Sequence, residues 1–320
     1  MSFTLPKITR TYQHHLLDST RWARFIPRDD DIVISTPYKS GTTWMQEIVL
    51  HLVFLGQPAP YREEVSPWLD ARVFGPVDEV LSQLEHQRHR RFIKTHLALD
   101  GLPYYPQVKY IVVGRDPRDV FMSMWHHYRS FTPEFLRYVN DLPGRVGDPH
   151  PPIPTDLHAY WREWITRGWF EWEQEGYPHW GNMHHQQSWW AYRHLPNIQW
   201  VHFADLLADT AGQIRRIADF LEIAASDEQI AQIAQQTTLT AMRTRAEQDD
   251  VGLAKVFVDG PRSFFYKGTN GRWKGVLSEE ELAMYEDKAA KVLTPDCRAW
   301  LEQGHIALNA PTVSIARSTL

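Results

Sequence analysis

The sequence is poor in cysteine and lacks both a long apolar run and an excess of positive charge. Cys297 is its one cysteine, so no disulfide can form within the chain, and a reducing, cytoplasmic location is predicted. No apolar run approaches the roughly 20 residues that a membrane helix needs, and residues 1–15 lack the apolar core of a secretory signal. The net charge of -5 argues against a general nucleic-acid binder, although it allows a local basic pocket for a small anion.

Repeats and low-complexity tracts are also missing, and the composition is that of an ordinary globular protein. The 320 residues are 43% hydrophobic and 23% charged, which excludes disordered, collagen-like and coiled-coil classes. The unusual feature is the presence of 14 tryptophans, which suggests a thick core. Because no linker separates two halves, we expect one domain over residues 1–320, with its motifs within about 30–280.

Short apolar segments alternate with helical patterns along the chain. The predicted strands span residues 31–36, 91–96, 108–114 and 198–203. The first precedes a helical pattern that includes Trp44 and Leu52, the third precedes a helix from about Val120, and the fourth precedes a helix around 214–221. This alternation predicts an α/β fold whose central parallel sheet is flanked by helices, with ligands bound at the carboxyl ends of the strands.

A stretch rich in proline and glycine, residues 141–155, is predicted to be a long loop inserted into this pattern. The helix predicted to follow it carries aromatic residues at helical spacing from Leu157 to Trp169. Two interpretations of five tryptophans remain open: they line an apolar pocket, or they belong to the core. The residues concerned are Trp161, Trp164, Trp169, Trp189 and Trp190.

The segment between the first strand and its helix has the composition of an anion-binding loop. It contains Lys39, Ser40, Gly41, Thr42, Thr43 and Trp44. Backbone N–H groups at a helix N-terminus bind anions, and the glycine allows close approach. In the P-loop of nucleotide-binding proteins the lysine follows the second glycine and precedes a Mg²⁺-binding hydroxyl, whereas here Lys39 precedes Gly41. The loop therefore predicts a phosphate-bearing donor handled without Mg²⁺, with a merely capped helix start as the alternative.

This loop resembles the phosphosulfate-binding loop of the cytosolic-type sulfotransferases, which use 3′-phosphoadenosine 5′-phosphosulfate (PAPS). The resemblance implies that the loop residues bind this co-substrate and that Trp44 stacks on adenine; a core tryptophan is the alternative. In a second family signature a strand leads to an arginine, with a serine on the next helix. Arg115 and Ser123 match it, which implies a site for the 3′-phosphate. Taken alone, Arg115 is equally compatible with pairing to a neighbouring aspartate such as Asp116.

A third signature places Lys94 and His96 at the end of the second strand. The resemblance implies that His96 is the catalytic base, while Lys39 and Lys94 offset the charge of the transferring group. Residues two apart on a strand share one face, so Lys94 and His96 are expected to point into the same cleft. Three histidine doublets are interpreted as ordinary surface or core residues, and no metal site is predicted. The doublets lie at 14–15, 126–127 and 184–185.

A fourth segment, near the C-terminus, resembles the family segment that closes over the nucleotide. Lys267 and Gly268 match it, but Tyr266 stands where arginine is usual and Arg272 where aspartate is usual. The sequence leaves open whether Arg272 compensates for the missing arginine. Weaker matches imply nucleoside contacts at Thr237, Leu239 and Phe203, the last of which replaces a tyrosine.

Together these resemblances imply a sulfotransferase that moves a sulfuryl group from PAPS to a hydroxyl of a small lipophilic acceptor. The acceptor is expected to be a phenol, an alcohol or a glycolipid, with no metal involved. The alternatives are a P-loop-like small-molecule kinase and a non-catalytic nucleotide-binding protein. The family's dimer motif is not reproduced after Lys274, which leaves the oligomeric state open.

Overall fold

The computed structural model describes residues 4–249 and 252–305. Over these ranges four strands form one sheet: β1 Ile32–Ser35, β2 Phe92–Thr95, β3 Lys109–Gly114 and β4 Ile198–His202. Their order is β2-β1-β3-β4, and every neighbouring pair is parallel. The predicted α/β fold with a central parallel sheet flanked by helices is therefore confirmed. The single domain over 1–320 stays a prediction, because 1–3, 250–251 and 306–320 lie outside the described residues.

The helices pack on both sides of this sheet and extend beyond its ends. They are α1 Thr42–Val53, α2 Arg62–Val65, α3 Val77–His86, α4 Pro117–Arg129, α5 Pro133–Asn140, α6 Leu157–Thr166, α7 Asn182–Trp190, α8 Phe203–Ala208, α9 Thr210–Phe220, α10 Asp227–Gln236, α11 Leu239–Gln248, α12 Leu253–Val256, α13 Pro261–Phe264, α14 Glu279–Val292 and α15 Pro295–Gln303. Short 3-10 turns occur at Ser19–Arg24, Arg72–Phe74 and Leu99–Gly101. Within the described ranges, no helix is both long and apolar enough to cross a membrane.

Both faces of the sheet are buried, which explains why its strands are almost continuously apolar. Ile32 and Ile34 of β1 join one core cluster, whereas Val33 between them joins the cluster on the other face. Side chains alternate along a strand, so one short strand serves both layers. Four of the five tryptophans with an open interpretation belong to the second cluster and are core residues. They are Trp161, Trp164, Trp189 and Trp190.

Two predicted helix boundaries are wrong by about a turn. Helix α4 begins at Pro117 rather than near Val120, because the Asp116 side chain caps it by accepting the N–H of Arg118. Helix α6 ends at Thr166 rather than reaching Trp169, because the next residue has an extended backbone. Residues 141–155 contain neither helix nor strand.

A buried ion pair ties β1 to β2 at their amino ends, opposite the edge where ligands bind. The Arg91 guanidinium donates to both carboxylate oxygens of Asp31, at 2.7 and 2.5 Å, and both side chains are fully buried. The carboxylate of Asp31 also accepts the backbone N–H of Arg28 at 2.8 Å. The guanidinium lies 5.0 Å from the ring centroid of Phe25, so one planar face of the guanidinium packs against this ring.

We expect Arg91→Met to lower the free energy of unfolding by about 3–5 kcal/mol, because it leaves the buried carboxylate of Asp31 without its partner. Urea denaturation measures this loss. The matched control is Arg137→Met, which breaks an exposed pair with Glu134 and should change stability by less than about 1 kcal/mol. Equal effects of the two substitutions would mean that the buried pair contributes no more than a surface pair.

Candidate active site

A cavity of about 350 Å³ opens beyond the carboxyl ends of β1, β2 and β3. Most of the residues predicted to form the site line this cavity, including the two lysines and the histidine that are predicted to act in catalysis. Those residues are Lys39, Gly41, Thr42, Thr43, Trp44, Lys94, His96, Arg115, Ser123, Phe203, Leu239, Tyr266, Lys267 and Gly268. The structure thus brings together segments that are far apart in the chain.

Two predicted contact residues do not line this cavity. The side chain of Ser40 is buried, and its hydroxyl has no hydrogen-bond partner among the described residues. Thr237 is also fully buried, and its hydroxyl donates to the carbonyl of Ile233 at 2.9 Å. The next residue, Thr238, lines the cavity instead. The match to the family segment was therefore offset by one position from the residue that faces the cavity.

The loop from Lys39 to Thr43 turns sharply into helix α1. Lys39 and Gly41 both have positive φ angles, of 65° and 104°. A Cβ atom on Gly41 would lie 2.9 Å from the ring of Phe203, so this position needs glycine for space as well as for conformation. The hydroxyls of Thr36 and Thr42 bond each other and fasten the loop to the end of β1. The N-terminus of α1 thereby lines the cavity and has no side-chain cap, so its first N–H groups are placed as an anion site requires.

The ammonium group of Lys39 is held by a histidine from one of the three doublets. Its Nζ donates to Nδ1 of His127 at 3.1 Å, and Nε2 of His127 lies 3.3 Å from the hydroxyl of Tyr38. Burial lowers the pKa of Lys39 to about 7, assisted by the charges of Arg115 and Lys94. No sequence signal distinguished His127, because one member of a histidine doublet on a helix looks like any other.

Lys94 enters the same cavity from β2. Its ammonium group lies 4.9 Å from the ring centroid of Trp68, and burial lowers its pKa to about 8 with help from Arg62. Among the described residues that line the cavity there is no aspartate or glutamate. The cavity therefore concentrates positive charge that an anionic ligand would neutralise.

His96 is buried at the end of β2, with one nitrogen already engaged. Its Nδ1 lies 2.7 Å from the carbonyl oxygen of Thr36, which can only accept, so Nδ1 carries the proton and Nε2 is the basic nitrogen. The rings of Tyr38, Trp68 and Trp180 surround the imidazole at centroid distances of 4.9, 4.8 and 5.6 Å. Burial, with the nearby charge of Lys94, lowers the pKa of His96 to about 3, so the imidazole is neutral at pH 7.

Arg115, at the end of β3, connects the anion loop to the C-terminal segment. It donates to the carbonyl oxygens of Lys39 at 3.2 Å and Thr269 at 2.8 Å, and to Oδ1 of Asn270 at 3.1 Å. It is only 4% exposed, and its guanidinium lies 4.1 Å from the ring centroid of Phe203. The phenylalanine that replaces the expected tyrosine thus packs against this arginine.

The alternative interpretation of Arg115 as a partner of Asp116 is wrong. The carboxylate of Asp116 pairs with Arg118 at 2.8 Å instead. The other nearby carboxylate, that of Asp119, accepts the backbone N–H groups of Gly271 and Arg272 at 2.8 and 3.0 Å. Both aspartates therefore have structural partners, and Arg115 keeps no carboxylate partner in the cavity wall.

The C-terminal segment closes one side of the cavity through stacked side chains. The ring of Tyr266 lies on the imidazole of His126, with centroids 3.6 Å apart and planes 10° apart. The guanidinium of Arg272 lies 5.1 Å from the centroid of Tyr266, and Arg272 also lines the cavity. The positive charge absent at position 266 is thus present beside it, supplied from position 272.

Several further residues of the cavity wall were not predicted as contacts. Tyr38 and Trp68 contact His96, whereas Met242 and Phe264 lie within matched segments in which no contact was assigned to them. No group of three or more histidine, cysteine, aspartate or glutamate side chains in the described part of the chain is arranged to hold a metal ion.

An α/β sheet with an anion loop after its first strand, surrounded by two lysines, an arginine and an unprotonated imidazole nitrogen, fits a transferase of anionic groups. Residues 29–294 match the family model of the sulfotransferase domain. The chain therefore belongs to the sulfotransferase family, and the class of enzyme predicted from its motifs is confirmed.

Individual relatives agree with this assignment. The chain is 37% identical over 309 residues to a glycolipid sulfotransferase of Mycobacterium bovis, an alignment that covers 92% of this chain and 94% of the relative. It is 28% identical over 263 residues to sulfotransferase 1B1 of Canis lupus familiaris, with 80% of each chain covered. Mouse sulfotransferase SULT7A1, solved in complex with PAP, superposes with a TM-score of 0.67 at 20% identity, covering 90% of this chain and 94% of that one.

A retinol dehydratase solved with androsterone and the inactive cofactor PAP has the same fold. It superposes with a TM-score of 0.66 at 24% identity and covers 86% of this chain and 84% of its own. Both of these proteins, each solved with PAP, therefore share the fold of this chain.

We predict that an anion entering the loop is bound together with a proton. With a pKa of about 7, Lys39 is largely neutral at pH 8, and an adjacent anion favours its charged form. Binding of inorganic sulfate, which does not itself titrate in this range, should at pH 8 take up close to one proton at Lys39 and a smaller fraction at Lys94, and affinity should fall as the pH rises above 7. Titration calorimetry in buffers of different ionisation enthalpy measures the uptake.

The control for this prediction is Lys39→Met. It removes the group with the lowest lysine pKa and should leave only the smaller uptake expected from Lys94, whose pKa is about 8. The same proton count in both proteins would show that Lys39 is already charged in the free enzyme.

Proposed function

We propose that this protein transfers the sulfuryl group of PAPS to a hydroxyl of a small lipophilic acceptor, with a glycolipid as the favoured class. The observation that carries the proposal is the meeting of Lys39, Lys94, His96 and Arg115 around one cavity at the carboxyl edge of the sheet. The relative that is 37% identical is a glycolipid sulfotransferase, and two proteins of the same fold were solved with PAP.

In this proposal His96 removes the acceptor proton. The free Nε2 takes the proton as the acceptor oxygen forms its bond to sulfur. A second proton on His96 is disfavoured in the empty cavity by burial and by Lys94. The negative charge of the bound donor counteracts both effects, so the imidazole becomes a better base when the donor is present.

The lysines act on the bond that breaks. As the bond between sulfur and the 5′-phosphate oxygen breaks, its electron pair goes to the phosphate, and the product is 3′,5′-bisphosphoadenosine (PAP). Lys39 stands on the anion loop, where its ammonium group can leave His127 and stabilise the departing oxygen. Lys94 faces the same cavity and offsets the charge of the transferring oxygens. No step in this sequence calls on a metal.

Donor recognition is assigned to the loop and to the walls around it. The N-terminus of α1 would receive the 5′-phosphosulfate, while Arg115, Ser123 and Lys267 would receive the 3′-phosphate. Trp44 lines the cavity and packs against the core at the same time, so it can present one ring face to adenine. Phe203 meets Trp44 edge-on at a centroid distance of 5.6 Å, and Leu239 packs against the same small core cluster as Trp44.

The experiment that tests the proposed reaction is transfer of ³⁵S from labelled PAPS to 2-naphthol and to alkyl glycosides in the presence of EDTA. Labelled product under chelation supports the proposal. Binding of PAP without transfer to any acceptor would favour a non-catalytic nucleotide-binding protein. Phosphate transfer from ATP and Mg²⁺ would favour a kinase.

We predict that His96→Ala lowers kcat by a factor of about 10²–10⁴, the usual contribution of a positioned base. Affinity for PAP should stay close to that of the unaltered enzyme, since the imidazole acts on the acceptor. Steady-state rates and PAP titrations measure the two effects separately. Retention of most of the wild-type kcat across the pH range would exclude His96 as the base.

We predict that Arg115→Ala weakens the binding of PAP about ten- to hundredfold, because a charged hydrogen bond to the 3′-phosphate is lost. The affinity for adenosine 5′-phosphate, which lacks that phosphate, should change much less. Calorimetric titration of both nucleotides gives the ratio. Arg118→Ala is the matched control, since this arginine pairs with Asp116 outside the cavity lining. An equal loss of affinity for both nucleotides in Arg115→Ala would show that this arginine has only a structural role.

A further inference from the structure

The carboxylate of Asp70 is fully buried beside the proposed catalytic residues of β2, and no step of the proposed reaction uses it. It belongs to a segment that runs along the outer edge of β2, where the backbone N–H of Lys94 donates to the carbonyl of Pro67 at 3.1 Å. Asp70 itself does not line the cavity. Its carboxylate accepts hydrogen bonds from three side chains, which are Trp22 at 2.6 Å, Thr95 at 2.6 Å and Trp68.

None of the three donors to Asp70 carries a charge. This distinguishes its carboxylate from that of Asp31, which is equally buried but is neutralised by Arg91. Taking an ionised carboxylate out of water without a cation in contact is strongly unfavourable. Packing alone would favour a neutral side chain at this position, so the charge of Asp70 indicates a role beyond packing.

The pattern of hydrogen bonds indicates that Asp70 is ionised. One carboxylate oxygen accepts the indole N–H of Trp68, and the other accepts the indole N–H of Trp22 and the hydroxyl of Thr95. Because an indole N–H only donates, a proton on the carboxyl group would meet one of them or leave the hydroxyl of Thr95 without its acceptor. Burial raises the pKa of Asp70 to about 6, although the three hydrogen bonds and the charge of Lys94 oppose this rise. At pH 8 the group is therefore negatively charged.

The charge of Asp70 acts on Lys94, which enters the cavity from the end of β2. Burial and the charge of Arg62 lower the pKa of Lys94, whereas the charges of Glu63 and Asp70 oppose this effect. Arg62 and Glu63 form an ion pair with each other on α2, so their effects on Lys94 partly cancel. Asp70 is thus the buried negative charge that favours the ammonium form of Lys94.

Three other charged or titratable groups face this pair. Arg21, in the first 3-10 turn, faces Asp70, while Lys39 and His96 face Lys94 from the cavity. Besides burial, the charge of Lys94 lowers the pKa values of Lys39 and His96. Asp70 is the one carboxylate among these five residues.

The hydrogen bond from Trp68 to Asp70 fixes an indole that contacts both proposed catalytic groups of β2. The centroid of this ring lies 4.9 Å from Nζ of Lys94. It lies 4.8 Å from the centroid of the His96 imidazole, which the ring meets edge-on. Rotation of the indole would change both contacts, so the bond to Asp70 helps to set the positions of the ammonium and imidazole groups.

The hydrogen bond from Thr95 to Asp70 acts on the backbone of the catalytic strand. Thr95 lies between Lys94 and His96, and its side chain points to the opposite face of the strand. Its hydroxyl donates to Asp70 and also accepts the N–H of Leu97 at 3.0 Å. Asp70 thereby holds the backbone immediately before and immediately after His96.

We propose that Asp70 is a positioning residue for the transfer reaction. Through Thr95 and Trp68 it orients His96 and Lys94, and its negative charge keeps Lys94 in the ammonium form that offsets the charge of the transferring oxygens. This inference rests on the proposed function and deepens it. Asp70 touches neither the donor nor the acceptor, because it lies behind the cavity wall.

The first test removes single hydrogen bonds to the carboxylate. Thr95→Val removes the hydroxyl on the catalytic strand, whereas Thr95→Ser keeps a hydroxyl there. Trp22→Phe is the matched control, because it removes a bond to the same carboxylate from a residue that does not line the cavity. Rates are measured with whichever of 2-naphthol and octyl β-D-glucoside the unaltered enzyme sulfates faster.

We expect Thr95→Val to lower kcat about tenfold and to leave the affinity for PAP within about twofold of the original, because it displaces the base and not the donor site. Thr95→Ser and Trp22→Phe should keep kcat within about threefold. Thermal unfolding should show similar losses of melting temperature for Thr95→Val and Trp22→Phe, since each removes one buried hydrogen bond to Asp70.

The second test removes the charge with Asp70→Asn, which keeps the shape of the side chain. With a pKa of about 8, Lys94 is half charged at pH 8 in the unaltered enzyme, and loss of a nearby negative charge lowers this fraction. Uptake at Lys94 on binding inorganic sulfate at pH 8 should therefore rise from about one half toward one proton. Titration calorimetry in buffers of different ionisation enthalpy measures the total, and Trp22→Phe should match the unaltered enzyme.

Two results would overturn the role of Asp70 in an active enzyme. One is an unchanged kcat in Thr95→Val, or equal losses of kcat in Thr95→Val and Trp22→Phe, and the other is an unchanged proton uptake in Asp70→Asn. If Asp70→Asn does not fold, the three variants at Thr95 and Trp22 decide the question alone. An unaltered enzyme that sulfates no acceptor would overturn the proposed function, and the positioning role with it.

Discussion

The parallel pairing of β1 between β2 and β3 is the constraint on which the site depends. Parallel strands end at the same edge of a sheet, so the residues after three strands become neighbours. The register places Ser35 beside Thr95 and Val112, which brings the anion loop, His96 and Arg115 to one edge. The buried pair of Arg91 and Asp31 holds the amino ends of β1 and β2, and the carboxyl ends are left for the ligand.

The concentration of positive charge at this edge destabilises the protein when no ligand is bound. Burial lowers the pKa values of Lys39, Lys94 and Arg115, and no carboxylate among the described cavity residues compensates them. Neutral hydrogen-bond acceptors offset part of this destabilisation: His127 accepts a hydrogen bond from Lys39, and backbone carbonyls accept hydrogen bonds from Arg115. Neutral acceptors hold the cations in position and leave their charge available to an incoming anion, whereas a carboxylate would compete with it.

Much of the fold and of the donor site could be predicted from sequence, because both depend on local signals. Apolar segments of four to six residues mark the strands, and the residues after them are polar wherever the strand ends face the cavity. The ends of the helices were predicted less accurately than the strands. The cap at Asp116 starts α4 earlier than predicted, and the extended backbone after Thr166 ends α6 earlier than predicted. Thr237 shows the same limit, because a motif match does not specify which of two adjacent threonines faces the cavity.

By itself, the sequence determined the four strands, the helices that follow three of them, the anion loop and the family to which the chain belongs, since each is encoded in contiguous residues. Tertiary structure alone decided the hydrogen-bond partners of each histidine. His96 and His127 differ from their neighbours because of a carbonyl at 2.7 Å and an ammonium group at 3.1 Å. His15, His150 and His179 contact one another in the interior although they are far apart in the chain. No local pattern predicts such a meeting, because the hydrogen-bonding state of a buried imidazole depends on atoms remote in the chain.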